Sequence, residues 1–546
     1  MDYRYLIGGI RVTLDATDEE ILKQAEIRMK RAGISTRSLH FRLYKRSVDA
    51  RKKDRILLDC TVLAEIDTPI PEHICKKNNW RVLKEAEPCP KKGTEPMRAR
   101  PMVVGMGPAG LFASLLLAEN GYAPILIDRG GEIADRVRAV ELFGKKGILD
   151  TDCNVQFGAG GAGTFSDGKL VTRIHDTYCQ YVIKTLHRFG APDEILTQAK
   201  PHVGTDVLRE VVQRILNEIE RLGGTLLYRC RMEDFGECSD GTLWVKTTKG
   251  DFSCGALVLA IGHSARDTYL RLLEKNYAIE AKPISVGVRV EHLQEDIDRA
   301  LYGDFAGHPR LGHAEYALSD TRQVRGVYTF CMCPGGEVVA AASENGGVVV
   351  NGMSNHARAG RNANAAVLTS ISCNDYEPVN GNAALGAIAF QRSIERAAFR
   401  AGGEDYAAPI MTLGDFLHEK SGTEPTRVLP TYRNGIVRTA RFDEIFPPFV
   451  TESLRYAFHS FGKKVEGYDA KEAVLTAAET RTSAPLRILR LPEVFTALGH
   501  DLVYPCGEGA GYAGGITSAG VDGARIAEAI IARFAPMEKD VNGGVL

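Results

Sequence analysis

The chain has 546 residues, 44% hydrophobic and 25% charged, which excludes a disordered or collagen-like protein and leaves room for about three or four domains. Lys and Arg number 68 against 69 Asp and Glu, so the chain as a whole is neither polycation nor polyanion. There is no apolar run of membrane-spanning length, no signal-like N-terminus, and no CxxC or metal-ligand spacing among the 12 cysteines; a reducing cytoplasm, without metal or disulfide staples, is the expectation.

Residues 1–87 read as a small α+β unit of βαββ, ferredoxin-like pattern. A strand over 3–13 precedes a helix capped by Asp15 or Thr17, with Ile21, Leu22, Ala25, Met29 and Ala32 at helical spacing. Leu39, Phe41 and Leu43 alternate in a second strand, and Ile56, Leu58, Cys60, Val62, Ala64 and Ile66 in a third. The first 100 residues hold 22 Lys/Arg against 15 Asp/Glu. Lys45, Arg46, Arg51, Lys52, Lys53 and Arg55 cluster at one hairpin beside Phe41 and Tyr44, a pattern that suits either a solvated loop or an RNA contact. Residues 88–100, with three Pro and four basic residues, read as a linker.

A new domain starts at 101, with strands at 101–106 and 123–128 around an apolar helix. Gly105, Gly107 and Gly110 form a G-x-G-x-x-G turn, with Pro108 and Ala109 opening the helix. Gly105 permits the tight turn, Gly107 the approach of a pyrophosphate, and Gly110 close helix–strand packing. The pyrophosphate then rests on the helix N-terminus. Asp128 ends the second strand 23 residues after Gly105 and is placed to bind a ribose, which favours FAD or NAD over NADP; Arg129, next to it, pulls the other way. A long helix over 205–222 and strands near 225–230, 242–248 and 256–261 follow, the last leading to Gly262 and His263.

Two further clusters repeat the glycine spacing. Gly158, Gly160 and Gly163, with Gly161 between them, precede a polar stretch (Ser166, Asp167, Lys169) and read as a loop able to press its backbone on a flat ligand. Gly509, Gly511 and Gly514 lie between a strand at 501–506 and a last helix at 515–534. Only 32 residues follow Gly514, too few for a second dinucleotide unit. A lone strand, turn and helix N-terminus still suits an electron-rich group, and Glu508 is placed for a ribityl or ribose hydroxyl.

Candidate chemistry is sparse. His263 and His292 are proton carriers by type, although such residues more often bond backbone. Lys169 is a candidate to stabilise a negative ring, or a solvent-facing cation. Cys331 and Cys333 on a regular strand would lie ~7 Å apart, long for a disulfide, which favours two core thiols over a redox pair. Arg481, Arg487 and Arg490, with Glu479 and Glu493 near in sequence, suit an ion-pair network or an anion clamp.

The strings GMGPAG, FGAGGAGTFSDGKL, ALVLAIGH, KPISVGVRVEH, YTFCMCPGGEVV, NGMSNHARAGRNANAAV, ETRTSAPLRI and GEGAGYAGG extend over most of the chain. Together with KRSVDARKKDRI in the N-terminal unit, the chain resembles the FAD-dependent, NAD(FAD)-utilising dehydrogenases, whose FAD-binding fold is glutathione-reductase-like. The resemblance implies an α/β protein: a discontinuous Rossmann-like FAD-binding domain at 101–280 and 486–535, an inserted mixed α+β substrate-side domain at 281–485, the small N-terminal domain, and a tail at 536–546. It places Gly511, Tyr512, Ala513 and Gly514 beside the isoalloxazine, flanked by the loop of Ser166, Asp167, Gly168 and Lys169, with Gly507, Glu508, Gly515 and Ile516 among the further cofactor-binding residues. It implies an FAD-dependent oxidoreductase of a small molecule, NAD(P)H acting at most as a transient donor because no second nucleotide unit exists. Two alternatives stay open: a flavoprotein that touches RNA through its basic domain, and a flavin-binding sensor without turnover.

Overall fold

The computed structural model describes residues 3–35, 39–83, 87–323 and 325–537; the expected tail lies outside them from 538 onward. In the N-terminal unit, Thr17 caps the helix Asp18–Arg31 through a capping box. Its hydroxyl accepts from the Glu20 amide at 3.2 Å, and the Glu20 carboxylate accepts from the Thr17 amide at 2.8 Å. Tyr3–Val12 pairs antiparallel with Leu57–Ile66 on one side and Arg81–Val82 on the other, and His40–Asp49 forms the outer edge. The alternating positions Leu58, Cys60, Val62, Ala64 and Ile66 are all buried under that helix. A seven-residue helix, Glu72–Asn78, and the two-residue strand after it go beyond the βαββ expectation, being too short to leave a periodic pattern.

A five-stranded parallel sheet lies in the order Val503–Pro505, Leu257–Leu259, Met102–Val104, Ile125–Ile127, Thr225–Leu227. The three inner strands are wholly apolar, and the edge strand Val503–Pro505 is buried at every position with Tyr504 its one polar-tipped residue, as befits strands covered on both faces. Helix Pro108–Glu119 is buried on every side from Ala109 to Ala118, packed between helices Thr205–Arg221 and Ile516–Arg533. A Cβ on Gly523 would sit 2.0 Å from the Ala109 carbonyl oxygen, so helix and helix meet backbone to backbone. An antiparallel sheet of Met232–Glu237, Leu243–Thr247 and Gly250–Cys254 extends this half, where the sequence pattern showed only the middle strand.

The segment after residue 281 builds a seven-stranded sheet. Its central strand, Ile284–Leu293, is buried at all ten positions and pairs with Asn362–Ile371 and Val474–Glu479. The chain enters through Ile279–Ala281 and leaves through Leu486–Ile488, and these two short strands pair with each other. A two-strand ribbon therefore joins this sheet to the parallel one, which takes its last strand, Val503–Pro505, from beyond the excursion. Among the described residues no helix is long and apolar enough to cross a membrane.

Candidate functional site: a glycine-walled cleft between the two sheets

A cleft of about 320 Å³ opens at the C-terminal ends of the parallel strands, where ligands of such sheets bind. Two helix N-termini face it. Helix Pro108–Glu119 starts at Gly107 and helix Ile516–Arg533 at Gly515, neither with a side-chain cap, so first-turn N–H groups remain for an anion. Gly105 has φ +107°, which only glycine adopts readily, and a Cβ there would strike the Ala260 carbonyl at 2.2 Å. Asp128 clamps this turn. Its carboxylate accepts from the Met106 and Gly130 amides, each at 2.8 Å, and retains lone pairs toward the cleft it lines.

The residues present fit FAD. Gly262, Gly514 and Gly515 would carry a Cβ into open space, so backbone alone walls the cleft there. Gly107, Pro108, Ala109, Gly161, Gly163, Ser166, Asp167 and Lys169 line it as expected. Glu508, half-buried in the wall, receives no hydrogen bond on its carboxylate from the described residues; burial pushes its pKa up to about 7, with Lys282 opposing. A hydroxyl-rich ligand would give this carboxyl partners.

Gly110, Arg129, Gly160, Gly507, Gly511, Tyr512 and Ala513, also expected at the cofactor, stand next to this cleft rather than in its lining, Arg129 in a small hollow it shares with Gly105 and Asp128. Gly110 packs against the Gly105 carbonyl, and the Gly160 amide donates to the Met106 carbonyl at 2.8 Å, pinning the second glycine loop over the first. The Gly507 amide bonds the Asp522 carboxylate, the Gly511 carbonyl accepts from Lys282, and the Tyr512 ring lies under the Arg490 guanidinium at 3.8 Å. Ala513 packs on the helical core. Arg129 stacks over Phe157 at 4.4 Å, pairs with Asp267 at 2.9 Å, and faces a neighbouring cleft of about 420 Å³. These residues shape the support behind the wall.

The chemical candidates fare differently. Lys169 is no free surface cation: its Nζ lies 3.2 Å from Glu315 and 3.8 Å from Asp167, which is itself fully buried against Arg358. His263 lines the cleft with Nδ1 3.0 Å from the Ser264 hydroxyl. Burial, then Arg481 and Arg266, holds its pKa at about 4, which keeps the imidazole neutral near pH 7. His292 is buried outside the cleft with Nε2 2.8 Å from the Tyr468 carbonyl. Arg481 grips Glu395 at 2.9 and 3.0 Å, Arg487 lies near Glu280 and Arg490 pairs with Asp522, so the network exists with partners distant in sequence.

Cys331 and Cys333 do not sit on a regular strand. The register skips between Phe330 and Cys333, and Cys331 takes φ +43°, a left-handed conformation costing a non-glycine residue about 1–2 kcal/mol. The bulge turns Cys333 Sγ back to the Cys331 carbonyl at 3.3 Å and puts Cys331 in the cleft wall with Phe330, Asn351, Arg481 and Thr482. Between 281 and 478 the sequence offered Cys331 and Cys333 as candidates and gave no sign of Phe330 or Asn351; the paired glycines of FCMCPGG were the one signal of a turn there.

Residues 283–482 match the family described as FAD-dependent protein, C-terminal domain-like, and residues 7–65 match a domain of unknown function. An uncharacterized protein of Clostridium beijerinckii is 44% identical over 97% of this chain and 98% of its own. Among solved structures, CtdE in complex with FAD aligns over 79% of this chain and 83% of that chain at 9% identity, with a TM-score of 0.31. The tetracycline destructase Tet(51) aligns over 79% and 80% at 10% identity, with a TM-score of 0.30. Scores in this range do not define a common fold. The family match supports FAD as the cofactor and a flavoprotein as the class of the chain.

Proposed function

From the premise that this chain belongs to one family with its 44%-identical Clostridium beijerinckii relative, and that its residues 283–482 belong to the FAD-dependent C-terminal family, we propose an FAD-dependent oxidoreductase of a small molecule. The observation that carries this is the convergence in one cleft of the clamped Gly105 turn, two uncapped helix N-termini, Asp128 and the unpartnered Glu508 carboxyl. Bound there, FAD would supply two-electron redox chemistry. Gly107, Ala109 and Gly515 would hold its phosphates, Asp128 and Glu508 its hydroxyls. In this reading, 101–280 and 486–535 form one FAD-binding unit and the seven-stranded sheet supplies the substrate wall.

The wall residues have definite tasks. Lys169, fixed by Glu315, presents a cation that favours negative charge in the cleft. Neutral His263 can accept or donate one hydrogen bond but does not switch charge near pH 7. Phe330, 39% exposed, and Val171, 54% exposed, offer apolar surface to a substrate at the mouth.

The RNA reading has thinner support. Of the six hairpin cations, Arg46 pairs with Asp18 and Arg51 with Asp49, at 2.9 and 2.6 Å, and Lys53 lies 3.9 Å from Glu466. The test of turnover is anaerobic addition of NADH and of NADPH to the purified yellow protein. Rapid bleaching of the flavin bands supports the oxidoreductase and names the donor. Bands that no nicotinamide, dithiol or small-molecule donor bleaches would favour the sensor.

A further inference from the structure

We infer that Cys331 and Cys333 form a two-electron dithiol–disulfide couple that exchanges electrons with the flavin of this cleft, so that the substrates of the enzyme include a thiol or disulfide. The inference rests on the FAD reading above.

Three observations converge. The bulge between Phe330 and Cys333 removes the regular-strand spacing that would hold the two sulfurs apart, and bulges of this kind re-aim side chains at active sites. Cys333 Sγ folds back on its neighbour and donates to the Cys331 carbonyl at 3.3 Å, so the bulge gathers both cysteines at one turn of backbone. Access is unequal: Cys331 is partly exposed in the cleft wall, and Cys333 is buried behind it.

The surroundings suit a reactive thiolate. The hydrogen bond from Cys333 lowers the Cys331 pKa against burial, with Arg289 and Lys169 adding to it, while Cys333 is pushed up. Arg289 is fully buried, and its Nη1 reaches the Cys331 carbonyl at 3.2 Å and Cys333 Sγ at 3.9 Å. A structural cysteine in a core strand needs neither the left-handed backbone nor the cleft position that Cys331 has. Cys331 is therefore the exchanging thiol and Cys333 the resolving one.

The step balances within the cleft. Formation of the Sγ–Sγ bond removes one proton from each thiol and two electrons from the pair, and oxidised flavin is the acceptor of both protons and both electrons. In reverse, reduced flavin returns them and the dithiol is restored. Toward the substrate, Cys331 thiolate attacks one sulfur of a disulfide and expels a thiolate. Cys333 then attacks Cys331 Sγ and expels the second.

The tryptic fragment 326–358 contains Cys331 and Cys333 and no other cysteine. The air-oxidised holoprotein should leave this fragment unalkylated and two hydrogens lighter, and pre-reduction should let it take two alkyl groups. Anaerobic titration with dithionite should consume about four electrons per flavin in the wild type and about two in Cys331→Ser and in Cys333→Ser, each retaining its flavin bands. Flavin bands together with a doubly alkylated fragment and a two-electron wild-type titration overturn this couple and leave the FAD reading standing. A chain that shows no flavin bands after reconstitution overturns both. The wild-type measurements decide the matter even if a serine variant fails to fold.

Discussion

At Gly107 the backbone has φ −76° and an added Cβ would meet nothing nearer than the Gly161 Cα at 3.7 Å, so neither strain nor packing requires glycine there. The reason lies in the cleft beyond it. Gly107→Val should keep its stability within about 1 kcal/mol of wild type and lose FAD affinity tenfold or more. Circular dichroism, melting and flavin content check this, and a variant that keeps stoichiometric FAD contradicts the placement. Glu508 gives a pH prediction. Its native pKa, about 7, lies above the ordinary value of 4.5, so between these limits the native state binds the extra proton. Stability from this group therefore falls as pH rises through the window and is fully lost above it. Glu508→Gln should melt progressively higher than wild type between about pH 5 and about pH 8, by an equivalent of ~1–3 kcal/mol for a part-buried group. A difference that does not change with pH would refute the perturbed carboxyl. Both residues were legible as a glycine turn and an acid beside one. The neutrality of His263 was not, because it comes from tertiary burial first and then from Arg481 and Arg266, which reach it from elsewhere in the chain.

Elements were legible where a period ran long enough. The capped helix Asp18–Arg31, the helix Thr205–Arg221 and the first glycine turn stand where the spacing put them. Met232–Glu237 was missed because its MEDFGE string alternates poorly, and Gly250–Cys254 because glycine and aspartate open it. The bulge at Cys331 has no pattern of its own: one extra residue in a strand becomes visible only against its partner, Asn362–Ile371. Helix packing gives the prediction at this scale. Gly520 meets Phe112, and Gly523 the Ala109 carbonyl, so helices Pro108–Glu119 and Ile516–Arg533 touch through glycine. Gly523→Val should destabilise by about 1–3 kcal/mol or more and weaken FAD retention, because both helix N-termini shift in the cleft. Melting with flavin content is the check; an unchanged melting temperature would show that the contact can yield.

Across the whole molecule, a buried ion network joins the two halves. Arg266, at the start of helix Arg266–Glu274 beside the parallel sheet, bonds Glu395 at 2.8 and 2.9 Å. Glu395 lies on helix Ala383–Ala401 and also takes Arg481 from the seven-stranded half, while Glu344 approaches both arginines. Removing the central carboxylate leaves two buried guanidiniums short of charge. Glu395→Ala should cost about 3–5 kcal/mol and loosen the cleft that lies between the halves. Calorimetry of wild type and variant tests this, and a loss under about 1 kcal/mol would show that water or Glu344 compensates. No local pattern announces such a network, whose members are separated by up to 215 positions in the sequence from Arg266 to Arg481. The same holds for the cleft wall: its glycine half was readable from nucleotide-binding motifs, and its Phe330, Asn351 and Thr482 half comes from strings that follow no nucleotide-binding pattern.

The account turns on one cofactor in one cleft. Its most direct measurement is the FAD released per chain when the purified protein is denatured, identified by chromatography and by the spectrum before release. The account predicts one FAD per chain, noncovalently held, with Gly107→Val depleted of it. A chain that releases none, and takes up none when FAD is added back, would contradict it.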